Sequence, residues 1–373
     1  MGVDPATIRL PPALLPADGR FGSGPSKVRD EAVGRLAAAA HGYLGTSHRQ
    51  EGVRSVVRRV RTGLAELFAL PDGYEVLLGN GGTSVFWDAA TIGLIERHSQ
   101  HLSFGEFSAR FAAIARAAPF LEDPDVIETP AGTHPEPSPR PGLDAYALTH
   151  NETSTGVMMD IRRPDGAGLV LVDATSAAGG LRVDPRAFDC YYFAPQKAFA
   201  SEGGLWLALC SPAALERIER IGASDRWQPP SLSLPVALEN SRKDQTLNTP
   251  ALATLFLLAD SIEWMLTSGG LEWAASRCDR AAELLYGWAE ASPYATPFVA
   301  KPAERSHVNA TIDFEGVDAA TVAAALRANG IVDTEPYRKL GRNQLRIAMY
   351  PAIETEDLAT LTRAIDYVVE AMG

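Results

Sequence analysis

Short apolar runs punctuate the first 250 residues: YEVLLG (74–79), HLSF (101–104), DAYALTH (144–150), LVLVDA (169–174), DCYYFA (189–194) and GGLWLALCS (203–211). Several carry apolar side chains at consecutive positions, as a parallel strand covered by helices on both faces does. Helical patterns separate them. FGSGPSKVRDEAVGRLAAAA (21–40) predicts a turn and a helix, and a loop, HGYLGTSHRQ, leads to a second helix from about Glu51 to Phe68. SVFWDAATIGLIER and a stretch ending near Ala118 predict two more, followed by the proline-rich loop TPAGTHPEPSPRP. Strands alternating with helices over this length predict an α/β sheet with helices on both faces.

Past Pro250 the rhythm changes. LATLFLLADSIEWMLTSGG begins a pair of helices, and SHVNATIDF, a helix, QLRIAMY and a last helix follow. This predicts a smaller α+β domain over 253–373, joined by residues 1–19, beside a large domain over 20–252. Arg54, Arg58 and Arg61 recur three or four apart on the second helix and predict a solvated face.

A chain of 373 residues accommodates two such domains. Acidic residues outnumber basic ones, 46 to 34, for a formal charge of −12, which argues against a broad nucleic-acid or anionic-membrane surface. Cys190, Cys210 and Cys278 are too scattered for a disulfide framework or a zinc site, and no metal is expected. The N-terminus lacks a signal-peptide layout, and no apolar run approaches the ~20 residues of a membrane span. A soluble cytoplasmic protein is expected.

Ligands of open α/β sheets sit at the carboxyl ends of the strands, which shortens the list of candidates. One end gives Asn80-Gly81-Gly82-Thr83-Ser84, a glycine turn opening a helix, where free backbone N–H groups suit a phosphate. Another gives His150-Asn151-Glu152-Thr153-Ser154-Thr155-Gly156, dense in short polar groups. A third places Asp173 after four apolar residues, and a fourth Gln196-Lys197. Each is weak alone: the acid could cap a helix, and the lysine could be a surface residue. Together they fit pyridoxal phosphate, which takes a lysine for its Schiff base, a carboxylate for its ring nitrogen, a phosphate cup and a flat group over the ring. Phe107, in SFGEFSARF, is the candidate for that flat group.

The order GPS, SHR, Gly-Gly turn, NET-x-TG, VD, QK and NTP resembles the class V group of fold-type I pyridoxal-phosphate enzymes, and within it the phosphoserine aminotransferase family, from about Phe21 to the C-terminus. The resemblance implies a mainly parallel seven-stranded sheet sandwiched by helices, with a smaller C-terminal α+β domain. It implies pyridoxal 5′-phosphate on Lys197, Asp173 at the pyridine nitrogen, Thr153 near the ring hydroxyl and Phe107 on the ring. Thr83, Ser84 and Gln196 would hold the phosphate, joined by Asn248 and Thr249 from the neighbouring subunit of an obligate homodimer. The implied reaction moves the amino group of L-glutamate to 3-phosphohydroxypyruvate, in serine biosynthesis, with 4-phosphohydroxythreonine of pyridoxine biosynthesis as a further substrate.

Both substrates carry anionic groups at two ends, so two cationic poles are expected. In QLRIAMY, Leu345, Ile347 and Met349 share one face and leave Arg346 on the other, where it resembles the family's α-carboxylate clamp. His48 and Arg49 resemble the groups for the distal anion. Where the family commonly has a His-Arg pair, EPYRKLGRNQ offers Arg338, Lys339 or Arg342. The turn also departs from a Gly-Gly-Gly-Arg type, and Phe107 stands where tryptophan is common. Alanine–glyoxylate and serine–pyruvate aminotransferases take short substrates and need no second cationic pole. A cysteine desulfurase needs a mobile reactive cysteine, which Cys190 and Cys210 in strand-like runs do not provide. A non-catalytic pyridoxal-phosphate sensor is the remaining alternative, distinguished by its lack of turnover with glutamate.

Overall fold

The apolar runs line up as a single seven-stranded sheet in the computed structural model, which describes residues 4–373. The first three residues of the predicted N-terminal segment lie outside the described part. Helices α1 (Asp30–Tyr43) and α2 (Glu51–Leu67) precede strand β1 (Glu75–Asn80) and helix α3 (Thr83–Gly93). Then come β2 (Ser99–Ser103), α4 (Glu106–Ala117), β3 (Asp125–Glu128), β4 (Ala145–Thr149) and a small hairpin of β5 (Asn151–Glu152) and β6 (Val157–Met158). β7 (Leu169–Asp173), β8 (Cys190–Phe193) and β9 (Leu205–Cys210) complete the sheet in the order β1-β9-β8-β7-β4-β2-β3. Only β9 runs against its neighbours, so β1, β2, β4, β7 and β8 end on one edge.

Both faces of the sheet are covered, as the unbroken apolar runs predict. In β7, Val170 and Val172 enter one hydrophobic cluster, while Leu169 and Leu171 enter another on the opposite side. Helices α3, α4, α5 (Pro212–Gly222) and α6 (Leu234–Arg242) contribute to the second cluster. Helix α2, with α7 (Leu252–Ser268) packed along it, covers the first. Asp173, two residues beyond Leu171, therefore projects toward the side of α3.

Beyond α7, helix α8 (Gly270–Ala291) leads to β10 (Ala295–Pro297), β11 (Asn309–Phe314), α9 (Ala319–Ala328), β12 (Gln344–Ala348) and α10 (Thr355–Met372). The three strands form an antiparallel sheet, with α8 packed on β10 and β11 and α9 packed on β12. Short helical turns at Pro5–Thr7 and Pro12–Leu14 pack against α9 and α10, and Arg20 bridges to Val332. Side chains of β7, β11, α7 and α10 share one continuous apolar cluster.

Three features differ from the sequence expectations. Between Cys210 and Pro250 the strand-run pattern predicts no element, yet α5 and α6 stand there. The Ser211 hydroxyl caps α5 by accepting from Ala214 N, Pro212 follows the cap, and Ala214, Leu215, Ile218 and Ile221 form its buried stripe. The edge strand β3 is half-buried and too short for an apolar run. Arg58 and Arg61 do not simply face solvent: they converge on the carboxylate of Asp244, and Arg61 also donates to Val76 O, fastening α2 to β1 and to the end of α6.

Candidate active site

A cavity of about 390 Å³ opens at the edge where β1, β4, β7 and β8 end, and Arg346 of β12 lines it as well. Lys197, four residues after β8, is 7% exposed, and its Nζ donates to Thr153 Oγ1 at 2.8 Å. Burial lowers its pKa to about 8; the charge of Asp173 opposes that shift, and Arg346 adds to it. At pH 7 about a tenth of this amine is neutral, against well under a thousandth of an ordinary lysine. Gly24 makes room for it, because a Cβ there would stand 2.6 Å from Lys197 Cε.

Asp173 ends β7 and faces the same cavity. Its Oδ1 accepts from Thr175 N at 2.9 Å and its Oδ2 from the indole Nε1 of Trp87 at 2.9 Å. Burial raises its pKa, and those two donors with the charge of Lys197 work against the rise. The N-terminus of α3 opens into the cavity through Gly82, Thr83 and Ser84, and Thr83 Oγ1 lies 2.7 Å from Thr175 Oγ1.

The wall near Phe107 is built by a buried carboxylate. Glu152, fully inaccessible, accepts from Phe107 N at 3.1 Å and Ser108 N at 2.9 Å, capping the first turn of α4. The hydroxyls of Ser108 and Ser154 and the amide of Ser154 complete its shell. The Phe107 ring centroid lies 5.4 Å from Lys197 Nζ, and Tyr337 packs against the same ring. Arg346 Nη1 reaches Thr153 O at 3.4 Å, while its buried Nε has no partner. The side-chain oxygen of Gln196 is likewise buried and unpartnered. An activated amine, a carboxylate held by donors, an aromatic wall, an open helix N-terminus and these orphaned groups fit pyridoxal phosphate.

Thus Lys197, Asp173, Thr153, Phe107, Thr83, Ser84, Gln196 and Arg346 meet in one cavity. The other predicted residues lie elsewhere. Thr249 Oγ1 is 3.0 Å from His48 Nδ1, Asn80 Nδ2 donates to Thr249 O, and Arg49 donates to Leu247 O. His48, Arg49 and Thr249 therefore form their own cluster, and Asn248 lines a neighbouring cavity of about 320 Å³ below β1. Arg338, Lys339 and Arg342 are exposed; Lys339 pairs with Glu106, and Arg342 pairs with Asp313 over the ring of Phe298. Trp87 and Tyr337 belong to the site without having been predicted, and Gly24 and Glu152 stood in the GPS and NET motifs without an assigned role. Trp87 had a faint signal: it stands four residues after Thr83, on the same helix face.

A larger cleft, of about 820 Å³, lies between α1 and α7. Its charges are spent on one another, with Arg29 and Arg35 both on Asp260 and Asp18 between Arg20 and Lys27. None of the residues that end β1, β4, β7 or β8 lines it. Among the described residues no cluster of histidine, cysteine and acidic side chains is arranged to hold a metal, and no helix is long and apolar enough to cross a membrane.

The family model for class V aminotransferases matches residues 134–335. A phosphoserine aminotransferase from a Nocardioides species is 60% identical over 368 residues, spanning 97% of this chain and 98% of that protein. The crystal structure of a phosphoserine aminotransferase from Cytophaga hutchinsonii superimposes with a TM-score of 0.88 at 24% identity, covering 95% of this chain and all of that one. A phosphoserine aminotransferase from Trichomonas vaginalis, solved with its cofactor bound, gives a TM-score of 0.78 at 18% identity, covering 94% and 99% of the two chains.

Proposed function

The chain belongs to the phosphoserine aminotransferase family of the class V aminotransferases, and we propose that it transfers the amino group of L-glutamate to 3-phosphohydroxypyruvate, giving O-phospho-L-serine and 2-oxoglutarate. One observation carries the reading: a buried lysine of lowered pKa shares a cavity with a donor-held carboxylate and an arginine whose Nε is unpaired. The cofactor is pyridoxal 5′-phosphate, which when bound supplies an electrophilic carbonyl carbon for amines and a protonated ring that withdraws electrons.

Each residue then has a task that its chemistry supports. With pyridoxal phosphate bound, Lys197 Nζ would hold it and would serve as the proton-carrying base beside the substrate, its pKa lowered by burial. Asp173 keeps the ring nitrogen protonated. Thr153 serves the ring hydroxyl, and Phe107 covers the ring. The α3 N-terminus with Thr83, Ser84 and Gln196 takes the phosphate. Arg346 presents a planar fork to the α-carboxylate. The half-buried His48 and the exposed Arg49, Arg338, Lys339 and Arg342 are candidates for the second anionic group.

A homodimer is part of the proposal. The phosphate end of the cavity contains no arginine, and the cluster of His48, Arg49, Asn248 and Thr249 lies outside it. A partner's Asn248 and Thr249 are assigned to complete the phosphate site. We also assign residues 20–252 to the cofactor domain and 253–373, with residues 1–19, to the smaller one. The pathway would be serine biosynthesis in the cytoplasm, with 4-phosphohydroxythreonine as an additional acceptor.

The test is the absorption spectrum of the purified protein during the two half-reactions. Glutamate should bleach the visible band of the lysine-bound cofactor, and 3-phosphohydroxypyruvate should restore it. Restoration by glyoxylate or pyruvate alone would move the protein to a short-substrate aminotransferase. Absence of any band after reconstitution would sink the cofactor assignment.

A further inference from the structure

Asp173 has both carboxylate oxygens engaged from behind, by Thr175 N on Oδ1 and by the Trp87 indole on Oδ2. The two donors differ in kind. The Thr175 amide lies two residues along the chain and belongs to the turn that follows β7. Trp87 comes from α3, one helical turn after Thr83, so the helix that opens toward the cavity with its N-terminus also delivers a side-chain donor to Asp173.

Packing fixes that donor. Trp87 is 3% exposed and stacks near-parallel on Phe111, at 6.4 Å between centroids and 15° between planes. Phe86, Phe111 and Tyr192 belong to the same apolar layer. The buried Tyr192 hydroxyl, on the adjacent strand, lies near the same indole N–H, whose well-formed bond goes to Asp173, and burial holds the phenol neutral by raising its pKa. Hydrophobic packing here would be satisfied by a phenylalanine. The indole nitrogen meets Asp173 instead, and an indole N–H donates but cannot accept.

A donor-only group bonds a carboxylate more strongly than a carboxylic acid, because the hydrogen bond is then charge-assisted. That matters in a layer where burial otherwise favours the neutral acid. We propose that Trp87 is a positioning residue for Asp173: its indole N–H holds the carboxylate ionised and oriented toward the cavity, and so keeps the pyridine nitrogen of the bound cofactor protonated. The inference rests on the cofactor reading above.

The experiment uses holoenzyme loaded with pyridoxal phosphate carrying ¹⁵N in the ring, as wild type and as Trp87→Phe. The wild-type ring nitrogen is expected at the chemical shift of a protonated pyridine, and the variant's is expected displaced toward the neutral value. Loss of one hydrogen bond to a charged group should lower kcat about tenfold to hundredfold with KM for glutamate little changed. Trp87→His, which returns a ring N–H, should move the shift back toward wild type. An unchanged ring-nitrogen shift in Trp87→Phe would overturn the proposal. Should that variant not fold, the wild type labelled with ¹⁵N-tryptophan decides: one of the six indole signals must move on Asp173→Asn, and none moving would equally overturn it. A wild type that takes up no cofactor at all would overturn the functional reading itself, and it would do so before any variant is compared.

Discussion

The amine of Lys197 donates to the hydroxyl of Thr153, and that hydroxyl donates onward to Ser176 Oγ, which donates to Asn151 O. Every donor in this chain points away from the lysine, so Thr153 is held as an acceptor. The arrangement orients the amine without supplying a counter-charge, and burial is left to lower its pKa to about 8.

A stability difference with a defined pH window follows. The folded pKa lies below the ordinary 10.5, so between about pH 8 and 10.5 the unfolded chain binds a proton that the native apoprotein has released, and stability rises with pH across that window. Below pH 8 the full penalty is present. Lys197→Met should therefore stabilise the apoprotein at pH 7 by up to about 3 kcal/mol, with the advantage vanishing by pH 10.5. Urea denaturation at both pH values measures it; equal stability of the two proteins at pH 7 would mean the lysine is not desolvated. Cofactor capture by the wild-type apoprotein should accelerate up to about pH 8 and then level off.

Gly24 is predicted to be irreplaceable for function but not for folding. Its φ of +134° is unfavourable for any side chain, and a Cβ would stand 2.6 Å from Lys197 Cε. The obstructed atom is the far end of a flexible side chain, so Gly24→Ala should fold while pushing the amine off Thr153. The visible cofactor band should be weak or absent in a protein with near-native circular dichroism. A full-intensity band would refute the steric argument.

Burial pulls the Arg346 pKa down, opposed by Tyr350 and Tyr337, and with Nε unpaired and Nη1 only 3.4 Å from Thr153 O its fork is free to turn to a carboxylate. Arg346→Lys should raise KM for glutamate about tenfold to hundredfold while leaving the resting cofactor spectrum unchanged. Parallel loss of the spectrum would instead make Arg346 a structural support of the site.

Glu152 offers a contrast between charge and shape. Burial raises its pKa, while five donors from Phe107, Ser108 and Ser154 favour its ionised form. Glu152→Ala would strand those donors in a dry site and free the first turn of α4, at a cost of roughly 3–5 kcal/mol. Glu152→Gln keeps one acceptor oxygen and should cost less. Thermal unfolding ranks the two, and equal melting temperatures would show that the cap is not holding α4.

The strand ends were legible because a doubly covered sheet leaves a strong local trace: unbroken apolar runs, each closed by a polar residue such as Asp173. Lys197 and Thr153 could be read from that trace because each lies within a few residues of its strand. Trp87 left only the faint trace of its spacing from Thr83, and Tyr337 left none. Each has an ordinary core-like neighbourhood in sequence, and its relation to the cavity depends on how α3 and the segment before β12 pack across the sheet edge. Arg58 and Arg61 misled for a similar reason: helical spacing places them on one side, but only packing tells whether that side meets water or the carboxylate of Asp244. Helix α5 was within reach, since Ala214, Leu215, Ile218 and Ile221 keep helical spacing behind a Ser-Pro cap.

The last prediction concerns the site shared between subunits. If Asn248 and Thr249 act on the partner's cofactor, Lys197→Ala and an Asn248→Ala, Thr249→Ala double variant should each be nearly inactive while remaining folded, for different reasons. Mixed dimers place an intact Lys197 in one subunit opposite an intact Asn248 and Thr249 in the other, restoring one of the two sites. Under random reassociation half the dimers are mixed, so activity should return to about a quarter of wild type in an isologous, two-fold dimer. Co-refolding the variants at equal concentration and assaying turnover with glutamate measures this directly. If the two residues acted within their own subunit, the mixture would recover nothing beyond the sum of its parts, and the cluster around His48 and Thr249 would have to be given another role.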